Sequence, residues 1–121
     1  LLGFCNSAQG KVALASMPLD RRQPLIPNSI AAATEFTITD TKDFAAHIDQ
    51  VAQQGWATAP NETMLGLNAL ACPIFDADRD PVATVAIVSL TQYIETPPVP
   101  EQIEAVRDAA ARISADLGYT P

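Results

Sequence analysis

The sequence predicts an α+β fold in which an antiparallel sheet is flanked by helices. Three observations carry this. The first is a β-hairpin signal running from Gly66 to Ser89. Two apolar, β-compatible runs, 66–75 and 82–89, flank the turn-forming stretch Asp76-Ala77-Asp78-Arg79-Asp80-Pro81. The second is a helix from Pro100 to about Gly118, whose apolar Ile103, Val106, Ala110, Ile113 and Leu117 recur at spacings of three and four. The third is the element order along the chain: helix, helix, strand, strand, strand, helix.

The first helix is predicted to be capped by Asn6 or Ser7 and to run to about Ser16. Ala8, Val12 and Ala15 share one face, and Ala13 and Leu14 make the rest apolar, so burial on several sides is expected. Gly10 in its interior costs about 1 kcal/mol relative to alanine. A glycine there implies close approach by a backbone or a ligand, or plain helix packing. Met17-Pro18 ends this helix. Pro18 opens a short helical turn through Arg22, and Pro24 closes it. Arg21-Arg22 is read as a solvated surface turn, and 25–34 as loop with a short helical piece.

A clear helix follows, capped by Thr39 or Asp40 and stopped at Gly55. Its apolar stripe is Phe44, Ile48 and Val51. Trp56-Ala57-Thr58-Ala59 reads as a short strand, which Pro60-Asn61 ends. After the hairpin, 93–98 is a proline-containing connection. Pro100 then opens the last helix, Gly118 follows it, and Glu104, Arg107, Asp108 and Arg112 make its solvent side.

Side chains alternate across a strand, so the hairpin has two faces. Leu67, Ala69, Ala71, Ala86 and Val88 look one way. Leu70, Cys72, Ile74, Val85 and Ile87 look the other. Both sets are apolar, so both need a cover. The last helix, or a partner subunit, is expected over the second set. The first set is rich in alanine, which leaves volume that larger core residues would fill. It is either a pocket wall or the seat of a closely packed helix.

At 121 residues a single domain is expected. The net charge of −7 and the scattered basic residues argue against nucleic-acid binding by this segment. No apolar run is long enough to span a bilayer, so no membrane partner is expected. Cys5 and Cys72 have no metal-site spacing, and they fit a reducing, cytoplasmic setting. The chain begins at Leu1 rather than Met, and three strands make a thin sheet. Strands that complete it are therefore expected before Leu1.

Signs of catalysis are absent. There is no phosphate loop and no nucleophile elbow. A thiol mechanism would need Cys72, in an apolar strand with nothing to lower its pKa, together with His47, the only histidine. His47 flanks the Phe44–Val51 stripe and reads as a partly buried packing residue. The alternating Asp76, Asp78 and Asp80 lack the further ligands of a calcium loop and read as a solvated turn. The expectation is no enzyme, no metal and no cofactor.

Three stretches, in order, resemble one known family. Ala8-Gln9-Gly10-Lys11-Val12-Ala13-Leu14-Ala15 resembles its "small-x-Gly-Lys-x-x-Leu-Ala" helix. Gln54-Gly55-Trp56-Ala57, with Glu62 beyond, resembles its "Gly-Tyr-Ala … Glu" strand. Gly66-Leu67 through Pro73-Ile74-Phe75-Asp76 and 82–89, with Ala109-Ala110, Ile113-Ser114 and Leu117-Gly118-Tyr119, resembles its hairpin and closing helix. Together they resemble the effector-binding domain of IclR-type transcriptional regulators.

That resemblance implies a GAF-like α/β fold with a curved antiparallel sheet whose first strands are missing from this chain. It implies a winged helix-turn-helix DNA-binding domain upstream of Leu1, with DNA as a partner through that domain only. It also implies a small organic effector, and a homodimer or tetramer. Carried over by position, the pocket would use Ser7, Ala8 and Gln9 of the first helix, Ala59 at the end of the short strand, and Leu67, Ala69, Ala71, Ala86 and Val88 of the hairpin. Several family members carry Asp, Cys or Ser where this chain has Ala59, Ala69, Ala86 and Val88. The departure points to a larger, more apolar ligand, aromatic compounds included, since an anion buried beside these groups would be unpaired. An oligomerisation module without ligand and a stand-alone GAF-like ligand-binding protein are the alternatives.

Overall fold

A computed structural model of the chain describes residues 4–121. The first helix, α1, spans Ala8–Ala15. Of the two candidate caps Ser7 serves: its backbone is extended and its Oγ accepts the Gly10 N–H at 3.1 Å. Gly10 lies against the backbone of Phe4. A Cβ at Gly10 would stand 1.9 Å from the Phe4 carbonyl oxygen, so the close approach is by backbone rather than ligand.

A short helix, α2 (Leu19–Arg22), and a 3-10 turn at Gln23–Leu25 follow. The short helical piece expected within 25–34 is not found there: the 3-10 turn stops at Leu25, and 26–34 is irregular. Arg21 is exposed as expected, but Arg22 is buried. The Arg22 guanidinium donates to the Ala15 carbonyl at 3.1 Å, satisfying the C-terminus of α1, and to Asp49 Oδ1 at 2.6 Å. The solvated-turn reading therefore fails for Arg22.

Helix α3 spans Thr41–Gln54. Asp40 is its cap, accepting the N–H groups of Lys42 and Asp43, and Gly55 ends it at φ +84°. Phe44, Ile48 and Val51 are its buried residues.

Three strands form one antiparallel sheet in the order β1 (Ala57–Thr58), β2 (Leu67–Phe75), β3 (Pro81–Leu90). β1 is shorter than the predicted run, because Trp56 and Ala59 fall outside the ladder. Ala57 faces Ala71 across β1–β2; Ala69 faces Val88, and Ala71 faces Ala86, across β2–β3. Asp76 holds the hairpin loop. Its Oδ1 accepts the N–H groups of Asp78 at 2.9 Å and Asp80 at 3.0 Å, and Arg79 takes φ +67°. Helix α4 spans Pro100–Asp116.

The sheet separates two apolar clusters. On one face α1 lies on β2 and β3 with α3 packed against it. Val12, Leu14, Phe44, Ile48, Val51, Ala57 and Ala71 meet there. On the other face α4 covers Leu70, Cys72 and Ile74 with Val106 and Ala110, joined by Ile94 and, at the edge, Val85. This is the predicted cover, with two corrections. Ile87 is 40% exposed, because α4 runs mainly along β2 and leaves that part of β3 uncovered. Ile113 and Leu117 are also exposed, and Ser114 takes the sheet-facing place, where its Oγ accepts the Phe75 N–H at 3.0 Å. The ladder shifts register between Ile74 and Phe75, and a hydroxyl serves that end of β2 better than a methyl.

Candidate functional site

The N-terminus of α1 does not reach the end of the sheet. Beyond it, between Ser7–Gln9, the chain after β1 and the Leu67 end of the hairpin, is a cavity of about 460 Å³. Seven of the nine residues named from the sequence line it: Ser7, Ala8 and Gln9, then Ala59, and Leu67, Ala69 and Val88 from the hairpin. Ala71 and Ala86 do not. Ala71 is fully buried and Ala86 partly so, both in the cluster beneath α1. Their small size lets the helix sit directly on the sheet. The alanines thus divide into two groups, a seat for α1 (Ala71, Ala86) and an unfilled wall (Ala59, Ala69).

Three further lining residues were not found from the sequence: Thr63, Met64 and Asn68. Thr63 and Met64 stand in the crossing between β1 and β2, which has no periodicity to read. Asn68 interrupts an apolar run, and that interruption was the available signal. It is only 2% exposed. Its Oδ1 accepts the Ala59 N–H at 3.1 Å and its Nδ2 donates to the Ile94 carbonyl at 2.9 Å, so it pins the cavity wall to the chain after β3.

No lining side chain carries a charge. The polar groups are few, and the Thr63 and Asn68 side chains are already bonded to backbone, which leaves the N-terminus of α1 as the donor end. The first-turn N–H groups of Ala8 and Gln9 lack intrahelical acceptors by helix geometry, and the helix N-terminus is the positive end of its dipole. Ser7 Oγ already accepts from Gly10, which leaves its proton to donate. Apolar walls with a donor end suit a compact, mainly apolar molecule bearing one acceptor group. A second depression, of about 490 Å³, lies across α1 between Phe4, Met17 and the start of β3. Its walls include the exposed Phe4 and Val82, and it shares only Ser7 and Gln9 with the sites read from the sequence.

Behind the cavity lies a buried ion pair. Lys11, fully buried on α1, donates from Nζ to Glu62 Oε2 at 2.7 Å and to the Thr58 carbonyl at 2.9 Å. Burial pulls the lysine pKa down against the pull of Glu62, and pushes the Glu62 pKa up against the pull of Lys11. Lys11 also contributes, after burial, to lowering the pKa of His47 to about 4. His47 is half-buried and neutral near pH 7, with Nε2 unpartnered among the described residues. Cys72 is buried under α4 and Cys5 is half-buried, and burial raises both thiol pKa values. Neither is an activated nucleophile. Among the described residues no group of His, Cys, Asp or Glu is arranged to hold a metal ion, and no helix is long and apolar enough to cross a membrane.

Residues 3–115 match the family model described as bacterial transcriptional regulator IclR C-terminal. The glycerol operon regulatory protein of Streptomyces griseus is 32% identical over 115 residues, covering 93% of this chain and 45% of that protein. The crystal structure of the C-terminal domain of the Escherichia coli regulator KdgR superposes at a TM-score of 0.85 and 32% identity. That match covers 96% of this chain and 71% of the other. A transcriptional regulator from Rhodococcus sp. RHA1 superposes at a TM-score of 0.89 and 29% identity, over 97% of this chain and 48% of the other. The chain spans less than half the length of the curated relatives it matches.

Proposed function

The chain belongs to the IclR family of bacterial transcriptional regulators, as C-terminal domain, and from that premise we propose that it is the effector sensor of such a regulator. Its names among relatives are those of regulators and repressors, not of enzymes. The molecule it senses is compact and largely apolar, with an aromatic ring among the chemistries that fit and a single acceptor group such as a carboxylate. The ring lies against Ala59, Ala69, Leu67 and Val88. The acceptor group meets Ser7 and the first-turn N–H groups of α1. Occupancy is passed to a DNA-binding domain elsewhere in the protein, in the cytoplasm. The observation that carries this reading is the charge-free cavity, walled by alanines, at a helix N-terminus.

A second reading concerns assembly. Val82, Ile87, Val88 and Leu90 of β3 are exposed on a strand with no neighbour on its outer side among the described residues. Such an edge is normally covered, which supports a homodimer or tetramer in addition to effector binding.

The test is a thermal-shift panel of aromatic and aliphatic carboxylic acids. A ligand that binds only the folded state raises the melting temperature with concentration. Stabilisation by at least one aromatic acid, and none by small hydroxylated acids, is the expected result. Stabilisation by small hydroxylated acids alone would overturn the apolar assignment, and a flat panel would overturn sensing itself.

A further inference from the structure

We infer that Lys11 and Glu62 are positioning residues of the effector site, a buried clamp that sets the separation of its walls. This rests on the reading of the cavity as the effector site. Lys11 Nζ touches Glu62 Oε2 and the Thr58 carbonyl. Its own helix carries Ser7, Ala8 and Gln9 one turn earlier. Ala59 is the residue after Thr58, and Thr63 and Met64 follow Glu62. One ammonium therefore ties together three separate stretches of the cavity wall.

The wall that needs tying is the one after β1. The ladder ends at Thr58, and from there to Leu67 the backbone is held by irregular bonds rather than a ladder. Glu62 N–H donates to the Ala59 carbonyl at 3.3 Å, Leu67 N–H to the Met64 carbonyl at 3.2 Å, and Asn61 N–H to the Leu67 carbonyl at 2.9 Å. The amide side chains of Asn61 and Asn68 accept the Gly66 and Ala59 N–H groups. Three hydroxyls assist: Thr34 donates to the Asn61 carbonyl, and Thr37 donates to the Glu62 carbonyl and Thr63 to the Asn6 carbonyl, the last two at 2.7 Å each. Among the described residues, the only charged group fastening this stretch to α1 is Lys11.

Stability alone does not explain the pair. A buried ion pair commonly does no better than apolar residues of the same volume, because both charges must be desolvated. This one is also incomplete, since Glu62 Oε1 is buried without a partner among the described residues. What charged hydrogen bonds supply, and apolar contacts do not, is a fixed distance and direction. A preorganised wall raises affinity by removing the cost of ordering it on binding.

The experiment replaces the pair by apolar residues, Lys11→Met with Glu62→Leu, in the full-length protein. Three quantities are read: melting temperature, amide hydrogen exchange of residues 59–67, and affinity for benzoate by calorimetry. Expected are a melting temperature preserved within a few degrees, faster exchange in 59–67, and benzoate affinity reduced at least about tenfold. Glu62→Gln, which keeps an acceptor but removes the counter-charge, is the second variant: it leaves the buried Lys11 ammonium uncompensated and should lower the melting temperature as well as loosen 59–67. Unchanged exchange and affinity in a folded double variant would overturn the clamp. So would loss of the fold, which would make the pair a plain stabilising element. If the unaltered protein takes up no benzoate, the effector reading loses its aromatic ligand, and exchange in 59–67 still decides the clamp.

Discussion

Lys11 Nζ and Glu62 Oε2 stand 2.7 Å apart with side chains 0% and 7% exposed, across 51 residues of sequence. Removing one partner leaves the other as an uncompensated buried charge, which costs about 3–5 kcal/mol. Lys11→Met alone should therefore lower unfolding stability by roughly that amount. Urea melts at pH 7 measure it. A loss below about 1 kcal/mol, the value of an exposed pair, would mean that the pair is solvated in solution.

His47 predicts a pH dependence. Its folded pKa is lowered to about 4, first by burial and then by the Lys11 charge, against an ordinary 6.5. The unfolded chain therefore binds a proton that the folded chain refuses, and stability rises with pH across that interval. The contribution is fully present above the unfolded value and is lost as pH falls from about 6.5 towards 4. The ring is only half-buried, so about 1–2 kcal/mol is expected rather than the full linkage value. The slope of stability between pH 5 and 6.5 should flatten in His47→Gln. An equal slope in the two proteins would remove His47 as its cause.

Local chemistry made most of the fold legible. Ser7, Asp40, Gly55 and Pro100 mark helix ends because each does a single backbone job that composition reveals. The two faces of the hairpin were legible because side chains alternate along two apolar runs that flank one turn, whereas the register shift between Ile74 and Phe75 was not. The burial of Arg22 and Lys11 was not, since a cation is buried only when a partner distant in sequence arrives: Asp49 for one, Glu62 for the other. The outward turn of Ile113 and Leu117 was hidden for a similar reason. Helical spacing alone cannot choose between two apolar faces of α4, and the hydrogen bond from Phe75 N–H to Ser114 chose. At the site, lining residues on regular elements could be placed from strand alternation. Thr63 and Met64, on an irregular crossing, could not.

The two groups of alanines should respond in opposite ways to enlargement. Ala69 is 9% exposed and opens on the cavity, whereas Ala71 is fully buried under α1. Ala69→Phe should fold with a melting temperature near that of the unaltered protein and lose the shift given by an aromatic acid. Ala71→Phe should lose about 1–3 kcal/mol or fail to fold, because the seat of α1 has no room. Thermal melts with and without ligand separate the two. Retained ligand response in Ala69→Phe would sink the assignment of that wall.

Gly10→Ala sets two effects of opposite sign against each other. Helix propensity favours alanine by about 1 kcal/mol, and nothing in the helical backbone at Gly10 demands glycine. Against this stands the Phe4 backbone. The new Cβ would lie 1.9 Å from its carbonyl oxygen and 2.7 Å from its carbonyl carbon, far inside van der Waals contact. Backbone is not the yielding end of a flexible side chain, so either the 4–7 segment moves off α1 or the helix shifts on the sheet. Overpacking of this kind costs about 1–3 kcal/mol, which exceeds the propensity gain. Net destabilisation is expected, and it should reach the cavity, because Ser7 lies on the displaced segment and caps α1 through the Gly10 N–H. Melting temperature and ligand response should fall together in Gly10→Ala, whereas Ala13→Gly, on the same helix, should lower the melting temperature alone. A Gly10→Ala protein that melts higher would show that the Phe4 segment does not rest on α1 in solution.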